Sequence, residues 1–152
     1  MAWERTFAML KPDTVQRGWV GEILNRLEMK GFRIVAMKLL QVSEEQARQH
    51  YAVHEGKDFY ERLVAYIQSG PVAALILEAP DAVAQLRNVV GATKPNEALP
   101  GTIRGDLGID ISNNLIHAAD SPKNAEYELS IYFTADEIIE YRRAGDDWLA
   151  GK

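Results

Sequence analysis

Asn114-Leu115-Ile116-His117-Ala118-Ala119-Asp120-Ser121-Pro122 is the stretch from which the fold is most readily read. Leu115-Ile116 reads as the buried end of a short strand. Ser121-Pro122 reads as a helix start, with serine as N-cap and proline at the first helical position. His117 therefore lies where a strand hands over to a helix, and the small side chains of Ala118 and Ala119 let another group approach its ring. A lone histidine beside an apolar pair is more often a satisfied core or surface side chain than a nucleophile, so this stretch alone makes His117 only a candidate.

The segments around it alternate between strand and helix. Arg5 to Leu10 is short and apolar and is stopped by Pro12, which predicts a buried strand delivering Lys11 at its end. Lys11 is then either a solvated strand cap or part of a ligand site. Val20, Ile23, Leu24 and Leu27 recur at helical spacing, and Gly31 is a plausible stop. Phe32 to Val42 is apolar on both faces, which suits a central strand. Ser43 and Gln46 form a capping box for a helix running to about Val53. Asp58 and Glu61 suggest a second such start, with Phe59, Leu63, Tyr66 and Ile67 as its apolar face. Phe59 falls in the first turn beside a polar loop, where an aromatic ring can stack on a nucleobase.

Val72 to Leu77 predicts another strand. Ala82 to Val90 predicts a helix stopped by Gly91, with Arg87 offset from its apolar stripe and, on this evidence alone, a surface arginine. Periodicity is lost from Ala92 to Asn113, a long loop of the kind that is usually functional or disordered; its isoleucines and leucine favour order. Within it, Thr93 offers a hydroxyl and Arg104 a planar cation suited to phosphate oxygens. Pro122 to Phe133 reads as a helix carrying Glu128, which is either an exposed carboxylate or a group turned back on His117. Thr134 to Glu137 is a capping box for a last helix, and Trp148 and Leu149 suggest a docked tail.

Composition narrows the function classes. The 152 residues, 47% hydrophobic and 26% charged, suit one domain, taken as 1–152. A net charge of -5 argues against a nucleic-acid coat, and no nucleic-acid partner is expected. The absence of cysteine excludes disulfides, thiolate metal sites and a cysteine nucleophile. No signal pattern or long apolar span is evident, so the expected location is cytoplasmic, with no membrane partner. There is no Gly-x-x-x-x-Gly-Lys-Ser/Thr loop, and no acidic cluster for a protein-only metal cage. A phosphate site would have to be assembled from scattered cations.

Asn114, His117, Ala118, Asp120 and Ser121 fit the active-site signature of the nucleoside diphosphate kinases; Ala119 stands where that family usually has serine. Lys11-Pro12-Asp13 and the run from Pro100 to Asp106 also resemble that family, and the likeness extends from about Glu4 to Trp148. The resemblance implies an α+β fold: a ferredoxin-like, four-stranded antiparallel sheet, βαββαβ, with covering helices. It implies transfer of a γ-phosphate from a nucleoside triphosphate such as ATP to a nucleoside diphosphate. The route is ping-pong, through a phosphohistidine on His117, with broad base tolerance. Glu128 would orient the histidine, and Lys11 and Tyr51 would stand beside it. Phosphates would fall to Lys11, His54, Arg87, Thr93 and Arg104, the sugar to Asn114, and the base to Phe59, Leu63 and Ile111. Mg²⁺ would arrive on the nucleotide, with no protein metal ligands. A homo-oligomer is implied, a hexamer more than a tetramer. The alternative is a non-catalytic relative that binds nucleotide as a regulatory or scaffolding module. Activity is expected to survive Ala119, because the nucleophile and its cationic neighbours remain.

Overall fold

Strand β1 (Trp3–Leu10) runs into Pro12, which both ends it and opens a short helix, α1 (Pro12–Arg17), that the sequence reading had not anticipated. A proline at the first helical positions gives up no needed N–H, so one residue serves both purposes. The chain continues through α2 (Val20–Lys30), β2 (Arg33–Leu40), α3 (Glu44–His50), α4 (Tyr60–Ile67), β3 (Val72–Pro80), α5 (Ala82–Val90), α6 (Ile103–Leu107), β4 (Ile116–Ala118) and α7 (Pro122–Tyr132). This computed structural model describes residues 2–150; the expected domain limits, 1 and 152, lie outside them.

The four strands lie in the order β2-β3-β1-β4, and every neighbouring pair is antiparallel. This is the expected α+β arrangement, with α3 and α4 inserted between β2 and β3. Side chains alternate across the sheet. Phe7, Met9, Ala74 and Ile76 face a core closed by α3, α4 and α7, while Ala8, Leu10, Leu75 and Leu77 face one closed by α2, α5 and α6. Burial on both faces accounts for the unbroken apolar run of β3.

Four expectations are corrected. The segment Phe32 to Val42 holds an edge strand rather than a central one: Met37 and Leu39 are 56% and 68% exposed, and the β2–β3 register shifts between Ile34 and Ala36. An apolar pattern on both faces does not distinguish edge from centre when something besides a strand covers part of the edge. Here the returning chain does so, with Ile139 N–H donating to Val35 O at 2.8 Å and the Tyr141 hydroxyl to Ile34 O at 2.5 Å. The same extension makes the last helix only a 3-10 turn, Ala135–Glu137, although its capping box forms. Asp58 does not cap α4, whose N-cap is Phe59, and Glu61 instead receives Arg48 at 3.0 Å. Trp148 is 90% exposed and docks nothing.

The tail is held by Asp146. Its carboxylate accepts from Arg33 Nη1 at 2.6 Å and from Arg143 Nε at 2.8 Å, and the other arm of Arg33 reaches Glu78 at 2.9 Å. Arg143 then caps Gly31 O and Phe32 O, at 2.8 and 2.9 Å, and Leu149 packs over Gly31 so closely that a β-carbon there would have to displace its methyl. Breaking a buried ion pair from one side strands a charge, whereas an exposed pair is worth little. Asp146→Ala is therefore expected to lower the unfolding free energy by about 3 kcal/mol. Asp147→Ala, which removes the exposed partner of Arg142, should leave urea unfolding almost unchanged; equal losses in the two variants contradict this account of the tail.

Candidate active site

Leu115 stands at φ +77°, a left-handed conformation rare for a residue with a branched side chain. Its backbone is held there from both sides. Leu115 N–H donates to Asp13 Oδ2 at 3.1 Å, and its carbonyl accepts from Lys11 N–H at 2.8 Å and from the Thr14 hydroxyl at 2.6 Å. The start of α1 thereby fixes the entry into β4, and the β1–β4 register sets His117 opposite Met9, two residues before Lys11. Ser121 caps α7 as expected, accepting from Asn124 N–H at 3.0 Å, and the helix carries Glu128 back over the strand.

Glu128 Oε2 meets His117 Nε2 in a short hydrogen bond. Among the described residues, Nδ1 of His117 has no protein partner, so its lone pair is the free one when the proton sits on Nε2. Burial, then the nearby Lys11, Arg104 and Arg87 cations, pushes the His117 imidazolium down to about 3 from its usual 6.5. The ring is thus neutral across the whole physiological range, more firmly than an unperturbed imidazole. Burial also raises the Glu128 carboxyl to about 7.

The cations are held in a graded way. Lys11 Nζ donates to Asn114 Oδ1 at 2.7 Å, and Asn114 Nδ2 in turn donates to Thr93 O at 3.0 Å. Asn114 is buried and, as it stands, places Lys11. Burial and the neighbouring Arg104 lower Lys11 to about 8, partly offset by Asp13. Arg104 is buried and donates to three carbonyls, Asn114 O at 3.2 Å, Gly91 O at 3.1 Å and Ile116 O at 2.6 Å. It thereby ties the long loop to β4 while keeping its charge under the cleft floor. Arg87 reaches Ala118 O at 3.2 Å, so the helix arginine is no ordinary surface residue.

These groups line one cleft of about 570 Å³. Lys11, Tyr51, His54, Arg87, Thr93, Arg104, Asn114, His117 and Glu128 all reach its wall. Phe59, Leu63 and Ile111 do not. Phe59 lies edge-on to His54 with ring centres 5.2 Å apart, Leu63 packs against the core, and Ile111 is half-exposed on its loop. Ala119 is fully buried among apolar neighbours. The residue that sequence reasoning missed is His50, whose buried ring centre lies 4.7 Å from that of His117. A signal existed: Ala47 and His50 are three apart on one face of α3, and they are its two buried residues.

A neutral imidazole with one free lone pair, ringed by cations and backed by a carboxylate, has the chemistry to attack an electrophile that carries several anionic oxygens. Comparison with known proteins agrees. The family profile described as nucleoside diphosphate kinase matches residues 4–138. A nucleoside diphosphate kinase of Archaeoglobus fulgidus is 54% identical over 146 residues, covering 96% of this chain and 97% of that one. One from Roseiflexus castenholzii is 51% identical over 146 residues, covering 96% and 98%. The structure of a halophilic nucleoside diphosphate kinase from Halobacterium salinarum in complex with CDP superposes with a TM-score of 0.95 at 45% identity, covering 99% of this chain and all of that one.

The cluster has a signature in stability. His50, like His117, is held neutral by burial, down to about 3. Between about pH 4.5 and 6.5 the unfolded chain binds a proton on each histidine that the fold refuses, while the fold keeps one on Glu128 that the unfolded chain releases. The unfolded state is ahead by one proton, so the cluster loses about 1.4 kcal/mol per unit as pH falls through that window. His50→Gln removes that proton and levels the contribution. Urea unfolding at several pH values should therefore fall less steeply for His50→Gln than for the wild type; parallel slopes contradict the neutral assignment.

Proposed function

The chain belongs to the nucleoside diphosphate kinase family, and we propose that the cleft around His117 is the place where it does that family's chemistry. It is a nucleotide-binding phosphotransferase that moves the γ-phosphate of a nucleoside triphosphate to a nucleoside diphosphate by a ping-pong route. The observation that supports His117 as the carrier is its pair of unequal nitrogens: Nε2 is committed to Glu128, and Nδ1 has no protein partner among the described residues, on a ring that lines the cationic cleft.

In the first half-reaction the Nδ1 lone pair of His117 forms a P–N bond to the γ-phosphorus as the bond from that phosphorus to the bridging oxygen breaks. The nucleoside diphosphate leaves with the bond's electrons. The ring gains positive charge, and the Glu128 carboxylate at Nε2 stabilises it or takes its proton. In the second half-reaction a new nucleoside diphosphate presents its terminal oxygen to the same phosphorus, the P–N bond breaks, and the imidazole is restored. Lys11, Arg87 and Arg104 hold the phosphate oxygens in place and offset their charge. Thr93 adds a hydroxyl. Tyr51, pushed up to about 12 by burial, remains a phenol and can donate. His54, at the outer wall, extends the same role.

The donor set fits a magnesium ion brought in on the nucleotide. Glu128 is engaged with His117, and Asp120 is the other carboxylate of the cleft wall, too few oxygens for a protein cage. Such an ion, when bound, neutralises charge on the phosphate oxygens. The relative solved with CDP supports a nucleoside diphosphate as occupant. The base would stack beyond His54, on Phe59, with Leu63 and Ile111 closing over it as the nucleotide enters and Asn114 facing the sugar.

No helix among the described residues is long and apolar enough to cross a membrane, and we read the protein as a cytoplasmic one. We also read it as a homo-oligomer, hexameric rather than tetrameric. The exposed Met37 and Leu39 on β2 and Leu99 and Ile109 on the long loop support a partnered surface.

Label transfer tests the reading. With magnesium and ATP labelled at the γ-phosphate, acid-labile label should appear on His117 and move to GDP on addition. His117→Asn should take no label, Glu128→Gln should lower the labelling rate by about 100-fold or more, and Ala119→Ser should change it by less than about tenfold. Label on another residue, or transfer without a labelled intermediate, contradicts the assignment.

A further inference from the structure

His50 is a buried titratable group for which the transfer chemistry has no use. Its Nδ1 meets the Tyr132 hydroxyl at 2.8 Å, and its Nε2 is buried with no hydrogen-bond partner among the described residues. A buried ring nitrogen left unpaired asks for an explanation. If Nδ1 donates its proton to the tyrosine oxygen, Nε2 presents a bare lone pair. That is the arrangement in which one ring nitrogen ligates a metal while the other is anchored by a hydrogen bond.

The partners for such a metal are at hand. His50, His117 and Glu128 each offer a donor atom, and these atoms lie within 4.8 Å of one another. Two imidazoles and a carboxylate form a recurrent zinc ligand set, with the fourth position open to water. In a tetrahedral site with bonds of about 2.0–2.1 Å the ligand atoms stand about 3.4 Å apart. Side-chain rotations that move the donors by about an ångström close the gap. All three residues line the cleft, through which His117 is reached from solvent. Imidazole donors select zinc over magnesium, which wants oxygen. The opposing force is charge: Lys11, Arg87 and Arg104 repel a dication, and Glu128 and Asp120 offset them only in part.

We propose that the nucleotide-free cleft binds one zinc ion through His50, His117 and Glu128, and that the bound ion blocks phosphoryl transfer by engaging the nucleophile and its carboxylate together. This site differs from the magnesium carried by the nucleotide. It also stands apart from the kinase reading, because binding is observed without turnover.

The test uses the full, nucleotide-free chain. Zinc is titrated in competition with a chromophoric chelator, and cobalt replaces zinc to report coordination by its visible absorption. The expected result is one site per chain with the spectrum of a four-coordinate nitrogen and oxygen site. His50→Gln and Glu128→Gln should each weaken zinc binding by about 10- to 100-fold, while His54→Gln, which alters an accessible histidine of the same cleft, leaves it unchanged. Labelling of His117 in the wild type should fall in step with zinc occupancy. Circular dichroism melts check that each variant is folded, and Glu128→Gln carries the test if His50→Gln does not fold. Equal zinc affinity in the folded variants and the wild type, or a six-coordinate cobalt spectrum, overturns the proposal. So does undiminished labelling at full zinc occupancy.

Discussion

The carbonyl of Leu115 is the point on which the site depends. It accepts from Lys11 N–H and from the Thr14 hydroxyl while Asp13 holds the N–H of the same residue. These bonds keep a non-glycine residue in a left-handed conformation that costs about 1–3 kcal/mol. They also join three pieces that are far apart in sequence: the end of β1, the start of α1 and the entry to β4. A strand of three residues could not hold a side chain accurately by its ladder alone. Anchored at Leu115, it sets His117 beside Lys11, and α7 then sets Glu128 against His117.

Charge is arranged on the same principle. Three cations near one histidine would be costly if the histidine were also charged; burial first, and then the cations, suppress its protonation. Burial lowers Lys11 and Arg104 in turn, with Arg104 bearing on Lys11 and Arg87 on Arg104. Cations gathered this closely favour an anionic ligand. The cations are tied to the side chain of Asn114 and to the carbonyls of Gly91, Ala118 and Ile116, so little reorganisation is needed when phosphate arrives.

Much of this was legible in the sequence because it is local. Ser121-Pro122 is a helix start in any context, Gly31 and Gly91 end helices as read, and the apolar run of β3 reports burial on both faces. His117, Lys11 and Glu128 were singled out through the resemblance to a family; their neighbours in the chain alone left each of them an ordinary side chain. What failed depends on partners distant in sequence. Nothing in Phe32 to Val42 says that Ile139 rather than another strand will pair beside Val35. Six residues of α1 are too few for a periodicity to show. The anchor of the tail proved to be Asp146, a charged residue, because Arg33 and Arg143 converge on it, whereas the bulkier Trp148 found no groove. Phe59 and Leu63 were placed by chemistry that only a bound nucleotide would reveal, and the closed wall of the cleft ends at His54.

The central claim is that the fold delivers a neutral His117 with its proton on Nε2 and its lone pair on Nδ1. Nitrogen-15 NMR of the imidazoles in the nucleotide-free protein measures both properties at once. The account predicts that at about pH 8, where Glu128 is ionised, the His117 ring carries its proton on Nε2, and that the ring stays neutral down to about pH 5, well below an ordinary histidine. A ring that titrates near 6.5, or one that carries its proton on Nδ1, would contradict it.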